Sequence, residues 1–236
     1  MNARTEKILL AAIEDFIKSG ELITSKSLYL NHDFGIKPAM IRWELNKLAK
    51  VGYFYQPHPS SGRIPTNKAY KFFIQRLLKA EEKSEEFFNQ RYKKDNQILE
   101  NFIKGDFNAF LEELSNELKI LSAIYKVKER FFVANGLSNL LYTLNLWGVD
   151  KNEIISIIED FENLPKKISV FDVNNGFNKI KIIIGKNKLL RSDFLTTVLS
   201  CVDFNDDKCL ILAIGPKAMN YPHILSLFKL LDKSLN

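Results

Sequence analysis

Over residues 5–19 the apolar side chains Ile8, Leu9, Ala12, Ile13, Phe16 and Ile17 recur at steps of three and four, and Gly20 follows them. That period predicts an amphipathic helix ended by the residue that takes a left-handed conformation at least cost. Thr24 or Ser25 is expected to cap a short second helix through Leu30, and Asn31-His32-Asp33-Phe34-Gly35 to form a turn. A third helix is predicted from Pro38 to about Val51, with proline in the first turn, where its missing N–H is no loss. Around this helix Ile41, Leu45 and Leu48 share one side, and Ala39, Arg42, Trp43, Asn46, Lys47 and Lys50 share the other. Residues 52–56 read as a short strand. After the loop Pro57-His58-Pro59-Ser60-Ser61-Gly62, Arg63-Ile64 begins a returning strand. Helix, helix, tight turn, helix and hairpin are the parts of a winged helix-turn-helix.

Thr66 is expected to cap a further helix with the stripe Tyr70, Phe73, Ile74, Leu77 and Leu78, which runs into a charged connector over residues 79–86. Residues 108–125 read as one amphipathic helix, with Phe110, Leu111, Leu114, Leu118, Leu121 and Tyr125 on one side. Strands are predicted at 131–133, 168–173, 180–184, 196–202 and 209–214. Asp150 and Glu153 form a capping-box start for a helix over 154–161, and another helix closes the chain at 221–235. The fold class is α+β in three parts: a winged helix-turn-helix at 1–78, a helical connector at 79–106, and an α+β domain at 107–236.

The charge distribution sharpens this picture. The net charge is +6 in 236 residues, with 34 Lys+Arg and 28 Asp+Glu. Residues 1–78 hold 12 Lys+Arg against 6 Asp+Glu, and the remaining 22 of each cancel. A basic module on a neutral body is the footprint of a protein that meets phosphate with one part only. A hydrophobic content of 46% suffices for a packed core. No run approaches the roughly 18 apolar residues of a membrane span, and the N-terminus lacks the apolar stretch of a secretion signal, so a cytoplasmic protein without membrane contact is expected. Cys201 and Cys209 then read as buried, reduced thiols. His32, His58 and His223 stand far apart, and metal spacings, a glycine-rich phosphate loop and a nucleophile elbow are missing. An enzyme is therefore not expected, nor is a cofactor.

On duplex DNA, Lys26, Lys37, Lys47, Lys50 and Lys71 are the candidates for phosphate contacts, and Ser25, Ala39 and Asn46 belong with them to the candidate DNA-binding set. Arg42 suits a bidentate contact to guanine and Met40 an apolar one to a thymine methyl; the bland reading of Arg42 is a pair with Asn46 or a carboxylate. Trp43 either lies on DNA or packs under the wing. His58 either bonds phosphate or is only a turn residue. Arg63, expected at the wing tip, suits a minor groove or its phosphates, with Ser60 and Ser61 beside it.

These residues resemble the HrcA family of heat-inducible transcription repressors. The stretch His58-Pro59-Ser60-Ser61-Gly62-Arg63-Ile64-Pro65-Thr66, with Lys68, Tyr70 and Phe72, resembles that family's wing. Ser25-Lys26 resembles the start of its second helix, and Ile41-Arg42 with Glu44 its recognition helix. Gly136-Leu137-Ser138-Asn139-Leu140-Leu141, and Ile214-Gly215-Pro216 with Met219 and Tyr221, resemble its two C-terminal signatures. The chain departs from the family at Lys37, Pro38 and Met40, where small hydroxyl residues are usual, and at Trp43, usually polar. It also runs from Tyr125 into Lys128-Glu129-Arg130-Phe131, where several strands and an inserted dimerisation domain are usual.

The resemblance implies a C-terminal GAF-like domain that lacks part of its sheet and the insert. It also implies repression of chaperone genes from an inverted-repeat operator, with chaperonin assisting the active state. Two-fold operators call for a homodimer. The stripe Phe110, Leu111, Leu114, Leu118 and Leu121 then reads either as a self-association surface or as core of the same protomer. The alternative is a winged-helix regulator governed by a small molecule in the C-terminal domain.

Overall fold

The computed structural model describes residues 1–81, 95–170 and 180–235. The chain divides into two compact units, Met1–Lys83 and Ser84–Asn236.

The first unit runs α1 (Ala3–Ser19), α2 (Ser25–Asn31), α3 (Pro38–Lys50), β1 (Phe54–Tyr55), β2 (Ile64–Pro65) and α4 (Asn67–Glu81). Local chemistry sets these bounds. Asn2 caps α1 by accepting from the Thr5 N–H, and Gly20 ends it at φ 69°. Thr24 and Ser27 form a reciprocal capping box on α2. Ile8, Leu9, Ile13 and Phe16 of α1 are buried with Ile41, Leu45 and Leu48 of α3 and with Tyr70, Phe73 and Ile74 of α4. The Thr66 hydroxyl, expected at the head of α4, donates to the carbonyls of Gly52 (2.7 Å) and Tyr53 (3.1 Å) and so ties that helix to the turn after α3.

The second unit is an antiparallel five-stranded sheet between two helical layers. Its described elements are α5 (Asp95–Ile103), α6 (Phe107–Leu118), β3 (Leu121–Lys126), β4 (Phe131–Asn135), α7 (Leu137–Leu146), α8 (Lys151–Glu162), α9 (Leu164–Ser169), β5 (Lys181–Ile184), β6 (Leu195–Phe204), β7 (Asp207–Pro216) and α10 (Tyr221–Leu235). The strand order is β4-β3-β7-β6-β5. Leu121, Ala123 and Tyr125 join Leu140 and Leu144 of α7, Ile157 of α8 and Leu164 and Ile168 of α9 on one face. On the other, Ser122 bonds the Leu111 carbonyl of α6 (3.0 Å) and Thr196 bonds the Tyr221 hydroxyl of α10 (3.1 Å). Asp160, buried in α8, accepts from Lys167 Nζ (2.6 Å), Arg191 N (2.6 Å) and Arg191 Nε (2.9 Å), joining α8, α9 and the loop before β6.

Three expectations are corrected. The predicted helix over 108–125 stops at Leu118, where Lys119 turns left-handed (φ 54°), and Leu121 and Tyr125 belong to β3. The strand is buried at every position, so its apolar run does not alternate and its period mimics a helix. Residues 168 and 169 end α9 instead of opening a strand, while 171–173 lie outside the described residues. Of the expected connector over 79–106, residues 82–94 lie outside the described residues, and Asp95–Ile103 is α5, packed against α6 and α10 within the second unit.

The chain bends sharply at Gly136, the N-cap of α7 (φ 86°), where a Cβ would stand 2.1 Å from the Ile120 carbonyl oxygen and 2.5 Å from Ser115 Cβ. Only glycine fits there. Cys201 pairs with Leu210 and Val202 with Cys209 across β6 and β7, so the two thiols point to opposite faces of the sheet. Burial pushes the Cys209 thiol up to about 12.

Candidate nucleic-acid interface

Helix α3 is amphipathic because its apolar positions fall three and four apart. Ile41, Leu45 and Leu48 face inward with Glu44, while Lys37, Ala39, Met40, Arg42, Trp43, Asn46, Lys47 and Lys50 are exposed. Glu44 was not singled out by sequence reasoning as a core residue. Its carboxylate, 3% exposed, accepts from the Thr5 hydroxyl at 2.8 Å and fastens α3 to α1. The available signal was its place on the apolar stripe, three residues after Ile41 and four before Leu48.

Trp43 does not pack under the wing: it is 55% exposed, with the Lys47 ammonium 5.3 Å from its ring centroid. A large flat apolar surface backed by a cation is thus displayed on the basic face. Arg42 is exposed and makes no ion pair among the described residues, and Asn46 takes a different partner from the one considered for it. Lys26 at the start of α2 and Lys71 on α4 are exposed, whereas Ser25 is buried, which removes its hydroxyl from the candidate DNA contacts.

The hairpin departs from expectation at its arginine. Arg63 is 6% exposed and points inward instead of standing at the wing tip. Its backbone forms a bridge with Ile23, N–H to carbonyl in both directions at 2.8 and 2.9 Å. Gly62 permits this approach: a Cβ there would meet Leu22 Cβ at 2.7 Å and the Ile23 oxygen at 2.8 Å. The Arg63 guanidinium donates through Nη2 to Asn46 Oδ1. Burial, and secondarily the charge of Arg42, lower its pKa from the ordinary value.

The loop itself is held by Gln56, whose amide donates to the carbonyls of Pro59 and Ser61 (both 2.9 Å). The Ser61 hydroxyl donates to the His58 carbonyl (2.8 Å) and accepts from the His58 N–H (3.1 Å), so it braces the loop and is not a free contact. His58 and Ser60 remain exposed at the tip. Lys68 also escaped sequence reasoning as a brace; its ammonium bonds the Val51 carbonyl (2.7 Å) and sits 4.8 Å from the Tyr53 ring centroid.

The expected self-association stripe is core. Phe110, Leu111, Leu114 and Leu121 are buried within the second unit, and Leu118 is half-buried, because α6 lies directly on β3 and β4. Among the described residues no group of three or more His, Cys, Asp or Glu side chains is arranged to hold a metal ion, and no helix is long and apolar enough to cross a membrane.

Residues 71–225 match the family model described as the HrcA protein C-terminal domain. The heat-inducible transcription repressor HrcA of Acetivibrio thermocellus is 27% identical over 253 aligned positions, covering 94% of this chain and 69% of that protein. The protein of the same name from Clostridioides difficile is 32% identical over 213 positions, covering 88% of this chain and 58% of its own length. That from Desulforamulus reducens is 41% identical over 86 positions, 36% of this chain and 25% of its own. Where the match runs over most of the chain, it thus spans 58% and 69% of these relatives' lengths. A crystal structure described only as that of a hypothetical protein superposes with a TM-score of 0.78 at 16% identity, covering 100% of this chain and 97% of that one, which establishes the shared α+β fold.

Proposed function

Because the chain belongs to the HrcA family, whose named relatives are heat-inducible transcription repressors, we propose that it is a repressor of chaperone genes that binds an inverted-repeat operator as a dimer. The observation that carries this reading is the exposed face of α3, where four cations, Lys37, Arg42, Lys47 and Lys50, surround Met40, Trp43 and Asn46. In this reading the first unit is a winged helix-turn-helix whose α3 enters the major groove. Lys26, Lys37, Lys47, Lys50 and Lys71 displace counterions from phosphate, and His58 and Ser60 approach the backbone from the wing. Arg42 reads guanine, and Met40 with Trp43 offers apolar surface to thymine methyls. The second unit is a GAF-like regulatory domain in the cytoplasm whose repressing state chaperonin supports, so that heat-damaged clients competing for chaperonin release the promoter.

Footprinting of the full chain on the chaperone promoters of its own genome tests target and symmetry together. Protection of two half-sites related by a dyad, weakening steeply as salt rises, is the expected result. Folded protein that leaves these promoters unprotected in dilute salt would refute the reading.

A further inference from the structure

Resting on the DNA-binding reading above, we propose that Asn46 is a base-selecting residue of α3 and that Arg63, from inside the protein, restricts it to guanine. Asn46 is exposed on the face that carries Arg42 and Trp43, yet its side-chain oxygen is already engaged by Arg63 Nη2. A guanidinium has five donors and no acceptor, so the end of the amide that meets it is the oxygen, and the NH2 group is turned away from it. Asn46 is therefore presented as a donor. An asparagine with both ends free pairs with adenine by donating to N7 and accepting from N6. One whose oxygen is turned towards Arg63 leads with its NH2 group and fits the guanine edge, where N7 and O6 both accept, whereas adenine offers that group only N7 beside the opposing N6 donor.

The lock is built to hold. Arg63 is anchored on both sides of its backbone by Ile23, and its Nε has no hydrogen-bond partner among the described residues. Surrendering Asn46 would deepen the deficit of a buried cation. The wing arginine thus acts as a positioning residue: it touches no base and sets which base its neighbour accepts. The hairpin contributes to sequence choice through the protein interior.

Selection from a randomised duplex library with the full chain tests this, comparing wild type with Asn46→Asp, Arg63→Lys and Arg63→Met. Wild type should yield a position in each half-site where guanine is favoured over adenine by about 5- to 150-fold, the equivalent of one good base contact. Asn46→Asp, which cannot donate, should erase that preference and leave the other positions unchanged. Arg63→Lys, still a donor to Oδ1, should retain guanine, and Arg63→Met should admit adenine at that position alone. A consensus unaltered by Asn46→Asp, or one weakened evenly at every position, overturns the inference while leaving DNA binding intact. Failure of wild type to enrich any sequence overturns the DNA-binding reading and this inference with it. Should Arg63→Met fail to fold by circular dichroism, the Asn46→Asp comparison decides.

Discussion

Gly62→Ala puts the coupling of hairpin and helices to a quantitative test. The added Cβ would lie 2.7 Å from Leu22 Cβ, 2.8 Å from the Ile23 oxygen and 2.9 Å from the Leu22 carbonyl carbon. Two of those atoms are backbone, so the clash cannot be relieved by a rotamer change; the strand must move off Ile23. Doing so sacrifices the two hydrogen bonds of the Ile23–Arg63 bridge, each worth about 0.5–1.5 kcal/mol net, which gives a loss of about 1–3 kcal/mol. For a unit of this size a 2 kcal/mol loss lowers the thermal midpoint by roughly 8–16 °C. The chain has two tryptophans, Trp43 in the first unit and Trp147 in the second, so in a Trp147→Phe background fluorescence follows the first unit alone. A midpoint within about 2 °C of the parent would refute the claim that this close approach is needed, because the expected shift is several times larger.

Further outcomes are expected elsewhere. Lys50→Ala should weaken binding to all duplexes and lower the slope of log affinity against log salt by roughly 1, whereas Arg42→Ala should cost about 1–3 kcal/mol on a selected operator and far less on random DNA; titrations at several salt concentrations separate the two. Asp160→Asn should destabilise the second unit by about 1–3 kcal/mol in urea denaturation, since the buried amide cannot satisfy all three donors that Lys167 and Arg191 direct at the carboxylate. Burial alone would raise the Asp160 pKa, but hydrogen bonds from Arg191 and Lys167 outweigh it and hold it below the ordinary carboxylate value. Its stabilisation is therefore complete above the unfolded pKa of about 4 and lost as pH falls through the lower folded value, a loss that Asp160→Asn should abolish. Gly136→Ala should destabilise the second unit by at least about 2 kcal/mol, from left-handed strain and the collision with Ile120, measured by the same denaturation.

Much of the first unit was legible because its elements are short and punctuated. Gly20, the Thr24 and Ser27 pair and Pro38 mark helix ends by local hydrogen-bond chemistry, and those signals act wherever the chain folds. The exposed face of α3 followed from periodicity alone. Arg63 did not, because its inward turn depends on Gly62 meeting Leu22 and Ile23, a contact made across the fold. Glu44 likewise found its partner in Thr5, thirty-nine residues away. In the second unit β3 was hidden by being covered on both faces, which removes the alternation that identifies a strand. The same double coverage turned the stripe on α6 from a candidate surface into core.

The opposed thiols of β6 and β7 have a practical consequence for anyone handling this protein. Held on either side of a sheet, Cys201 and Cys209 cannot be joined by an oxidant while the strands stay paired. Cys209, buried and suppressed as a thiolate, can be alkylated only when the sheet opens. Its rate of capture by a maleimide is therefore a native clock for how often the sheet of the second unit comes apart, and it can be read at rising temperature on unlabelled material.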